Sequence, residues 1–335
     1  MKAVMLREMG APENLRLEDV PIPDVAQGQV RIRLKAAALN RRDAYARVGL
    51  YPGVKLPAIP GSDGAGVIES VGTGVTHLRA GDAVLINPAL NWGPNPRFYG
   101  QDFSILGIPS HGTYAEYVTV PAQNVWPKPE YLTWEEAAAL PLGGLTAYRA
   151  LFTRGRLNAG ETVIVPGIGG GVATMVLQMA VAQKARVFIT SSSDQKLAAG
   201  IELGAAGAVN YNAKGWAKSL RQESGGADLS IDSIGGSTFN DLVFLSNPGA
   251  RIVSFGATMG PVPELLMPRI FFKQLDVMGT TMGSPWDFQE MLDFCTAHTI
   301  RPIISGRYPL ENVAQAHHDM ESGIQFGKLV LSIWE

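Results

Sequence analysis

The stretch ETVIVPGIGGGVATMVLQMA, residues 161–180, decides the fold of this chain. An apolar run ends at Pro166 and leads through a glycine-rich turn into apolar residues at helical spacing. Such a turn lets a pyrophosphate approach backbone N–H groups at the positive end of a helix. The alternative is a plain strand-to-helix turn, because the strict G-x-G-x-x-G spacing is imperfect. We predict that the turn binds a dinucleotide through Gly167, Ile168, Gly169, Gly170, Gly171 and Val172.

Strand-like and helix-like segments alternate around this turn. Apolar runs rich in Val and Ile give way to segments with helical spacing and return again. Such alternation is typical of an α/β protein with a doubly wound parallel sheet. We predict helices at 171–183 and 194–204, and strands at 161–166, 185–190, 207–211, 227–236, 250–256 and 275–281.

The end of the second predicted strand bears on the choice of cofactor. A site for NAD typically places Asp or Glu there, to bind the ribose 2′-hydroxyl. Here the strand ends in serines, and we place Asp194 at the N-cap of the next helix. Hydroxyls of Ser191 and Ser192 with the charge of Lys196 suit a 2′-phosphate. We therefore predict NADP(H), although the serines could equally serve as helix caps.

The first 125 residues have a different character. Short apolar runs bounded by Gly, Asp and Pro predict a β-rich domain, and residues 88–113 form a long loop with little periodicity. So long a loop is often functional. The C-terminal segment adds a helix at 311–320 and a last strand at 327–333.

Charge and composition exclude several classes of protein. The 335 residues include 28 basic and 30 acidic side chains without a polybasic run, so neither nucleic acid nor a membrane surface is expected as a partner. No apolar run approaches the ~20 residues that span a bilayer. The single cysteine, Cys295, excludes an internal disulfide. We expect a cytoplasmic protein, since the N-terminus shows no signal-peptide pattern.

Several motifs together resemble the medium-chain dehydrogenase/reductase superfamily over the whole chain. They include NRRDAYARVGLYP at 40–52, GSDGAGVIESVGTGV at 61–75, LPLGGLTAYRAL at 140–151 and GKLVL at 327–331. The pattern N-x-x-D-x-Y-x-R-x-G-x-Y at 40–51 is similar to the zinc-free, quinone oxidoreductase-like branch. The resemblance implies a GroES-like β-rich catalytic domain at 1–125 and 282–335, and a Rossmann NADP-binding domain at 126–281.

The same resemblance implies that no zinc is bound. Zinc members carry Cys where Asn40 stands and Gly-His-Glu where Gly61, Ser62 and Asp63 stand. Catalytic zinc needs about three Cys, His or carboxylate ligands. The loop 88–113 also lacks the four cysteines of the structural-zinc lobe.

Without zinc, hydrogen-bond donors must stabilise the charge that develops on the substrate oxygen. We predict Tyr45 and Tyr51 as donors, Asn40 as the group that fixes nicotinamide or substrate, and Asp43 as the group that orients the tyrosines or Arg47. Packing beside the cofactor is the alternative for Tyr45, and a loop anchor is the alternative for Tyr51. Arg41 and Arg42 are expected to be surface or salt-bridge residues.

The resemblance also implies further cofactor contacts. Thr146 would lie near the nicotinamide, Tyr211 near the adenosine phosphate, and Lys328 would approach the cofactor from the last strand. Two short segments would lie along the nicotinamide: Phe255, Gly256 and Ala257, and Gly279, Thr280 and Thr281.

These expectations define an oxidoreductase that transfers hydride from NADPH to a quinone, an enone or another small carbonyl compound. One alternative is an NADP-dependent alcohol or aldehyde dehydrogenase that needs no zinc. Another is a protein that binds NADPH without catalysis. The strand at 275–281 leaves a sheet edge that could pair with a second subunit, and the resemblance implies a homodimer or homotetramer.

Overall fold

The computed structural model describes residues 1–334. Within this range it contains the following β-strands: β1 Lys2–Leu6, β2 Leu15–Asp19, β3 Gln29–Ala38, β4 Asp63–Val71, β5 Ala83–Ile86, β6 Ala89–Leu90, β7 Ser104–Ile105, β8 Tyr117–Pro121, β9 Val125–Pro127, β10 Thr162–Val165, β11 Arg186–Ser191, β12 Gly207–Asn210, β13 Ala227–Asp232, β14 Ser246–Ser254, β15 Asp276–Gly279, β16 Ile304–Pro309 and β17 Lys328–Ser332.

The α-helices of the described residues are α1 Arg41–Arg47, α2 Trp134–Ala139, α3 Pro141–Tyr148, α4 Gly171–Ala182, α5 Asp194–Glu202, α6 Trp216–Ser224, α7 Thr238–Leu245, α8 Met267–Lys273, α9 Pro285–Ala297 and α10 Val313–Ser322. Short 3₁₀ turns lie at Pro12–Asn14, Ala122–Asn124 and Leu310–Asn312, and a π-helical segment lies at Arg149–Arg154. No helix within residues 1–334 is both long and apolar enough to cross a membrane.

The first compact unit consists of Met1–Leu142 and residues 283–334. Its main sheet has the order β16-β17-β3-β4-β5-β9, with β8 paired to β3, and only β16 and β17 run parallel to each other. In β3 the side chains of Val30, Ile32 and Leu34 are buried at every second position. This alternation is expected of an antiparallel strand with one face on a core. A GroES-like, β-rich fold results.

The second compact unit is Gly143–Met282, and its sheet has the order β12-β11-β10-β13-β14-β15. All strand pairs in it are parallel. All four residues of β10 are buried, as a central strand covered on both faces requires. The chain starts at β10, winds outward to β12, returns to β13 beside β10 and continues to β15. This is the doubly wound order of a Rossmann fold, and it confirms the predicted fold class.

The domain boundary predicted at residues 125/126 stays a prediction. The division between the two compact units falls after Leu142. The reason is that α2 packs on β3, β4 and β17 of the first unit, where Ala139 joins a small core with Ala38 and Val330. The helix α2 begins with a capping box, in which Thr133 Oγ1 accepts a hydrogen bond from the Glu136 N–H.

Candidate active site

Most of the cofactor residues predicted in the second unit follow the carboxyl ends of its parallel strands. The strand order reverses between β10 and β13, and ligands of doubly wound sheets bind outside the carboxyl ends at such a point. The sequence left the strand order open, so this shared edge is a finding of the structure. The residues concerned are Gly167 to Val172 after β10, Ser191 and Ser192 at the end of β11, Tyr211 after β12, Phe255 to Ala257 after β14, and Gly279 to Thr281 at the end of β15. Thr146 lies buried in α3.

The glycine-rich turn is held by β11. The Gly167 N–H donates to Thr190 Oγ1 at 3.2 Å and the Ile168 N–H donates to the Thr190 carbonyl at 2.8 Å. Gly167 has a φ of +66° and Gly169 a φ of +144°, which side chains other than glycine rarely adopt. Two of the turn's glycines are therefore required by the backbone.

Two other glycines at this edge have no such internal cause. Gly170 and Gly279 do not have a left-handed φ, and a Cβ added to either would meet no atom within 4 Å. Glycine weakens a folded chain through its conformational entropy, so an open space kept beside both residues fits a ligand that approaches the backbone. The residues present therefore fit a dinucleotide.

The end of β11 shows how the predicted 2′-phosphate residues are arranged. The Ser193 N–H donates to Ser191 Oγ at 3.1 Å. Ser193 is the N-cap of α5, and its hydroxyl oxygen accepts from the Lys196 N–H at 3.3 Å. The prediction that Asp194 is the N-cap is wrong by one residue. The Ser192 side chain is exposed to solvent. The Lys196 side chain is partly buried, which lowers the pKa of its ammonium group.

In the first unit, Asp43 is the centre of a buried polar cluster at the start of α1. Its Oδ2 accepts from the Asn40 backbone N–H at 2.9 Å and from the Tyr114 hydroxyl at 3.0 Å. Arg42 lies 3.5 Å from its Oδ1. Burial raises the pKa of the Asp43 carboxyl, against the opposing effect of Arg42. The prediction that Asp43 orients Arg47 is wrong, because Arg42 is the arginine paired with it.

Next to this cluster the Asn40 side chain lies between a carboxylate and an ammonium group. Asn40 Nδ2 donates to Asp63 Oδ2 at 2.9 Å, and Lys328 Nζ donates to Asn40 Oδ1 at 2.7 Å. Lys328 also pairs with Asp63 Oδ2 at 3.0 Å. Asp63 is 0% exposed and Lys328 6% exposed, and the other Asp63 oxygen accepts from the Leu142 N–H at 2.8 Å. Both oxygens of the Asp63 carboxylate are therefore hydrogen-bonded.

Arg42 makes a third set of contacts, which the sequence did not predict. Whereas Arg41 is exposed, Arg42 is 8% exposed. Its guanidinium donates to Ser62 Oγ at 2.6 Å and to the carbonyls of Leu106 and Ile108 at 3.2 and 3.4 Å. Its Cζ lies 4.6 Å from the centroid of the Tyr51 ring, close enough for a cation–π attraction. Arg42 thus links α1 to the end of the long loop.

The two predicted tyrosine donors are not oriented by Asp43, whose tyrosine partner is Tyr114. Tyr45 and Tyr51 are both half-buried, and neither hydroxyl has a hydrogen-bond partner within residues 1–334. Both hydroxyls therefore remain available as donors. The ring of Tyr51 packs against a small apolar cluster of Ala46, Ala58 and Ile108, so it also serves as a loop anchor.

With this geometry established, comparison with known proteins is informative. Two family models match the chain: the alcohol dehydrogenase GroES-like domain over residues 26–130 and the zinc-binding dehydrogenase domain over residues 171–297. The zinc-type alcohol dehydrogenase-like protein YogA of Leptosphaeria maculans is 37% identical over 95% of this chain and 94% of its own length. The mouse quinone oxidoreductase is 32% identical over 99% and 97%. The chain belongs to the medium-chain dehydrogenase/reductase superfamily.

Two solved structures extend the similarity to other members of this superfamily. A structure described as an NAD-dependent alcohol dehydrogenase has a TM-score of 0.95 and 38% identity, and covers 100% of both chains. A mycobacterial structure in complex with NADPH has a TM-score of 0.85 and 30% identity over 99% of this chain and 100% of that chain. Membership of the superfamily therefore supports the interpretation that this chain is an oxidoreductase with a nicotinamide cofactor. The two solved structures differ in that cofactor, since one is described as NAD-dependent and the other contains NADPH.

The description of one family model names zinc, but the residues of this chain do not fit a catalytic zinc. Within residues 1–334 no group of three His, Cys, Asp or Glu side chains lies close enough to hold a metal ion. At the positions where zinc members carry ligands, Asn40 and Asp63 bind the Lys328 ammonium, and Ser62 binds the Arg42 guanidinium. The positive charges of Lys328 and Arg42, held next to these positions, repel a metal cation.

Sequence reasoning missed two residues of this site. Tyr114 was missed because its partner Asp43 lies 71 residues away in the sequence, and no local pattern gives a signal for that contact. Arg42 lies within the motif at 40–52, but the motif gives no signal for its contacts, because Ser62, Leu106 and Ile108 lie 20 to 66 residues further along the chain.

Proposed function

We propose that this protein is an NADPH-dependent oxidoreductase that transfers hydride to a quinone or an α,β-unsaturated carbonyl compound without zinc. The observation that carries the proposal is that Asn40 and Asp63, at positions where zinc members carry ligands, are hydrogen-bonded to each other and to the buried Lys328 ammonium. A saturated carbonyl needs strong polarisation of its oxygen. An enone or quinone delocalises negative charge to an oxygen remote from the attacked carbon, so hydrogen-bond donors suffice.

NADPH is favoured over NADH by the end of β11. No carboxylate stands among Thr190 to Ser193, whereas the hydroxyl of Ser192 and the ammonium of Lys196 suit a 2′-phosphate. The mycobacterial neighbour in complex with NADPH supports this choice. When bound, NADPH supplies the hydride. The other predicted cofactor residues, including Thr146, Tyr211, Phe255, Gly256, Ala257, Thr280 and Thr281, are proposed as the groups that hold it.

The chain's own residues would then orient the substrate and stabilise its oxygen. Tyr45 and Tyr51 have free hydroxyls and are the proposed donors, with Asn40 as a third. Asp43 holds the start of α1 through the Asn40 N–H and the Tyr114 hydroxyl. Its proposed role is to position Asn40, and no proton transfer is assigned to it.

A second candidate is a zinc-independent alcohol or aldehyde dehydrogenase. It is favoured by the neighbour described as an NAD-dependent alcohol dehydrogenase, which matches over the full length of both chains. Activity on saturated carbonyls separates the two candidates.

The deciding experiment follows the nicotinamide absorbance of NADPH with chelator-treated protein and a panel of quinones, enones and saturated aldehydes. We expect rapid NADPH consumption with a quinone or an enone, unchanged by chelator, and slow consumption with NADH. Consumption with saturated aldehydes alone would move the function to the second candidate. Tight NADPH binding without turnover on any acceptor would indicate a non-catalytic NADPH-binding protein.

We also propose that two or four copies of this chain associate through the second unit. β15 has a partner on one side only among the described strands, and Val277 on it is exposed. The neighbouring α8 has no buried residue, and it exposes Met267, Phe271 and Phe272. An apolar patch of this kind beside an open sheet edge suits a second copy related by two-fold symmetry.

A reducing, cytoplasmic setting is proposed from the lone and buried Cys295.

A further inference from the structure

The hydrogen bonds around Asn40 fix the orientation of its side-chain amide. An ammonium group only donates hydrogen bonds and an ionised carboxylate only accepts them. The amide oxygen must therefore face Lys328, at 2.7 Å, and the amide nitrogen must face Asp63, at 2.9 Å. A flipped amide would place N–H groups against the ammonium and an oxygen against the carboxylate, so only one orientation is compatible with both neighbours.

This orientation leaves one hydrogen-bonding group of Asn40 unused. The amide nitrogen carries two hydrogens, and one of them is bound by Asp63. Within residues 1–334 the second has no acceptor, and the residue is 8% exposed. The Lys328 ammonium, bound to the oxygen of the same amide, draws electron density from the amide and strengthens its remaining N–H as a donor.

We propose that Asn40 donates this N–H to the substrate oxygen on which negative charge develops, and that Lys328 and Asp63 are the positioning residues that hold the amide for it. The inference rests on the proposed function, because it needs a substrate whose oxygen gains charge. It assigns to a polarised amide the task that a Lewis acid performs in zinc enzymes. It also gives Lys328 a role distinct from the cofactor contact predicted for it.

Steady-state kinetics of three variants tests the positioning role. Lys328→Met leaves Asp63 as a buried unpaired carboxylate and will unfold at a lower temperature, so the decisive variant is the double substitution Asp63→Asn with Lys328→Met, which removes both charges. We expect the double variant to fold and to bind NADPH with wild-type affinity, with kcat for the quinone or enone reduced about 10- to 100-fold. Lys128→Met is the matched control, since Lys128 donates to the carbonyls of Pro129 and Leu132 and does not contact Asn40; its kcat should equal that of the wild type.

Two kinetic outcomes would overturn the inference. The first is an unchanged kcat in the folded double variant. The second is a large rise in the Kd for NADPH with kcat preserved, which would make Lys328 a cofactor contact instead.

A measurement without turnover separates this inference from the proposed function. The side-chain NH₂ signals of Asn40 can be assigned in ¹⁵N spectra of the whole protein by their loss in Asn40→Ala. We expect the proton that is bound to Asp63 to exchange slowly with solvent in the wild type and fast in the double variant. Fast exchange in the wild type would refute the fixed amide even if the enzyme is active. Slow exchange in a protein that reduces no acceptor would mean that the proposed function fails while the fixed amide stands.

Discussion

The surroundings of Gly170 and Gly279 contrast with those of Asn40 and Asp63. A Cβ on either glycine would meet no atom within 4 Å, so the second unit keeps open space at the ends of its strands. In the first unit, Asp63 is fully buried and accepts hydrogen bonds from three groups. The space beside the two glycines is open and could be filled by a ligand. The Asp63 carboxylate, in contrast, is already paired with a cation, the Lys328 ammonium.

The zinc-binding dehydrogenase model matches residues 171–297, and Asn40, Ser62 and Asp63 lie outside that range, so the match does not require a zinc site. At these three positions the positive charge comes from lysine and arginine side chains of the same chain. Removal of such an internal cation should therefore act on stability first. Removal of the open space should act on ligand binding and leave stability nearly unchanged.

The largest effect is expected for Arg42. Arg42→Met removes the donor to Ser62, Leu106 and Ile108 and the cation on the Tyr51 ring. Buried acceptors without a partner are costly, and loss of one member of a buried charged set typically costs about 3 to 5 kcal/mol. Denaturant unfolding should show a decrease of that size.

The adjacent Arg41 provides the matched control. It is exposed, and its one hydrogen bond within residues 1–334 is to the Met320 carbonyl at 3.5 Å. Arg41→Met should change the free energy of unfolding by less than about 0.5 kcal/mol. Equal losses for the two variants would show that Arg42 contributes no more than a surface arginine does.

The second prediction concerns His317, which is buried in α10 beside the edge of the Tyr114 ring. Neither ring nitrogen has a hydrogen-bond partner within residues 1–334. Burial, with smaller effects of Arg47 and His318, lowers the pKa of His317 from 6.5 to about 3. As the pH falls from 6.5 towards 3, the unfolded chain therefore binds a proton that the folded chain does not. The free energy of unfolding should decrease through this window by about 1.4 kcal/mol per pH unit on account of His317.

The variant His317→Phe tests this assignment. Phenylalanine keeps an aromatic ring and cannot be protonated, so the slope of unfolding free energy against pH should be smaller by one proton between pH 6.5 and 3. Stability at neutral pH should be preserved, because no hydrogen bond of the ring is lost. An unchanged slope would assign the acid sensitivity to other groups. Asp43 is not one of them, because a pKa raised on folding stabilises the folded chain as the pH falls.

The fold was predictable because its signals are local. The run of four buried residues in β10, the glycine turn and the helical spacing of α4 all lie within 161–180, and the predicted strand at 207–211 was found at Gly207–Asn210. The helix α1 was missed, because its seven residues carry mostly polar side chains that resemble a loop.

The polar site was less predictable for a related reason. Asn40, Asp43 and Lys328 were selected from the family pattern, but their partners depend on pairing between distant strands. β17 lies next to β3 and brings Lys328 to Asn40 across 288 positions of the sequence. No spacing rule contains that distance. For Arg42 the sequence left a surface position or a salt bridge open, and the structure shows the salt bridge, to Asp43. Arg47, which the sequence gave Asp43 as a possible partner, is the wrong arginine.

The third prediction separates the two kinds of glycine in the second unit. Gly167→Ala forces a left-handed φ on alanine and places its Cβ 2.7 Å from Ile234 Cδ1, at an expected cost of about 1 to 3 kcal/mol. Gly279→Ala has neither problem and should change stability by less than about 0.5 kcal/mol. Its methyl group enters the open space, so the Kd for NADPH, measured by nicotinamide fluorescence, should rise at least severalfold. Unchanged NADPH affinity would show that this space does not receive the cofactor.

The smallest effect, and the one that decides the cofactor, is expected at Ser192. Ser192→Asp places a carboxylate directly after β11, where it would repel a 2′-phosphate and accept a hydrogen bond from a ribose 2′-hydroxyl. The ratio of kcat/KM for NADPH to that for NADH should fall about tenfold or more, which corresponds to about 1.4 kcal/mol. Ser219→Asp adds the same charge on the exposed side of α6 and should leave the ratio unchanged. Two results together would contradict the prediction: a wild type that already prefers NADH, and an unchanged ratio in Ser192→Asp. They would mean that the end of β11 does not bind a 2′-phosphate, and that the cofactor is NADH.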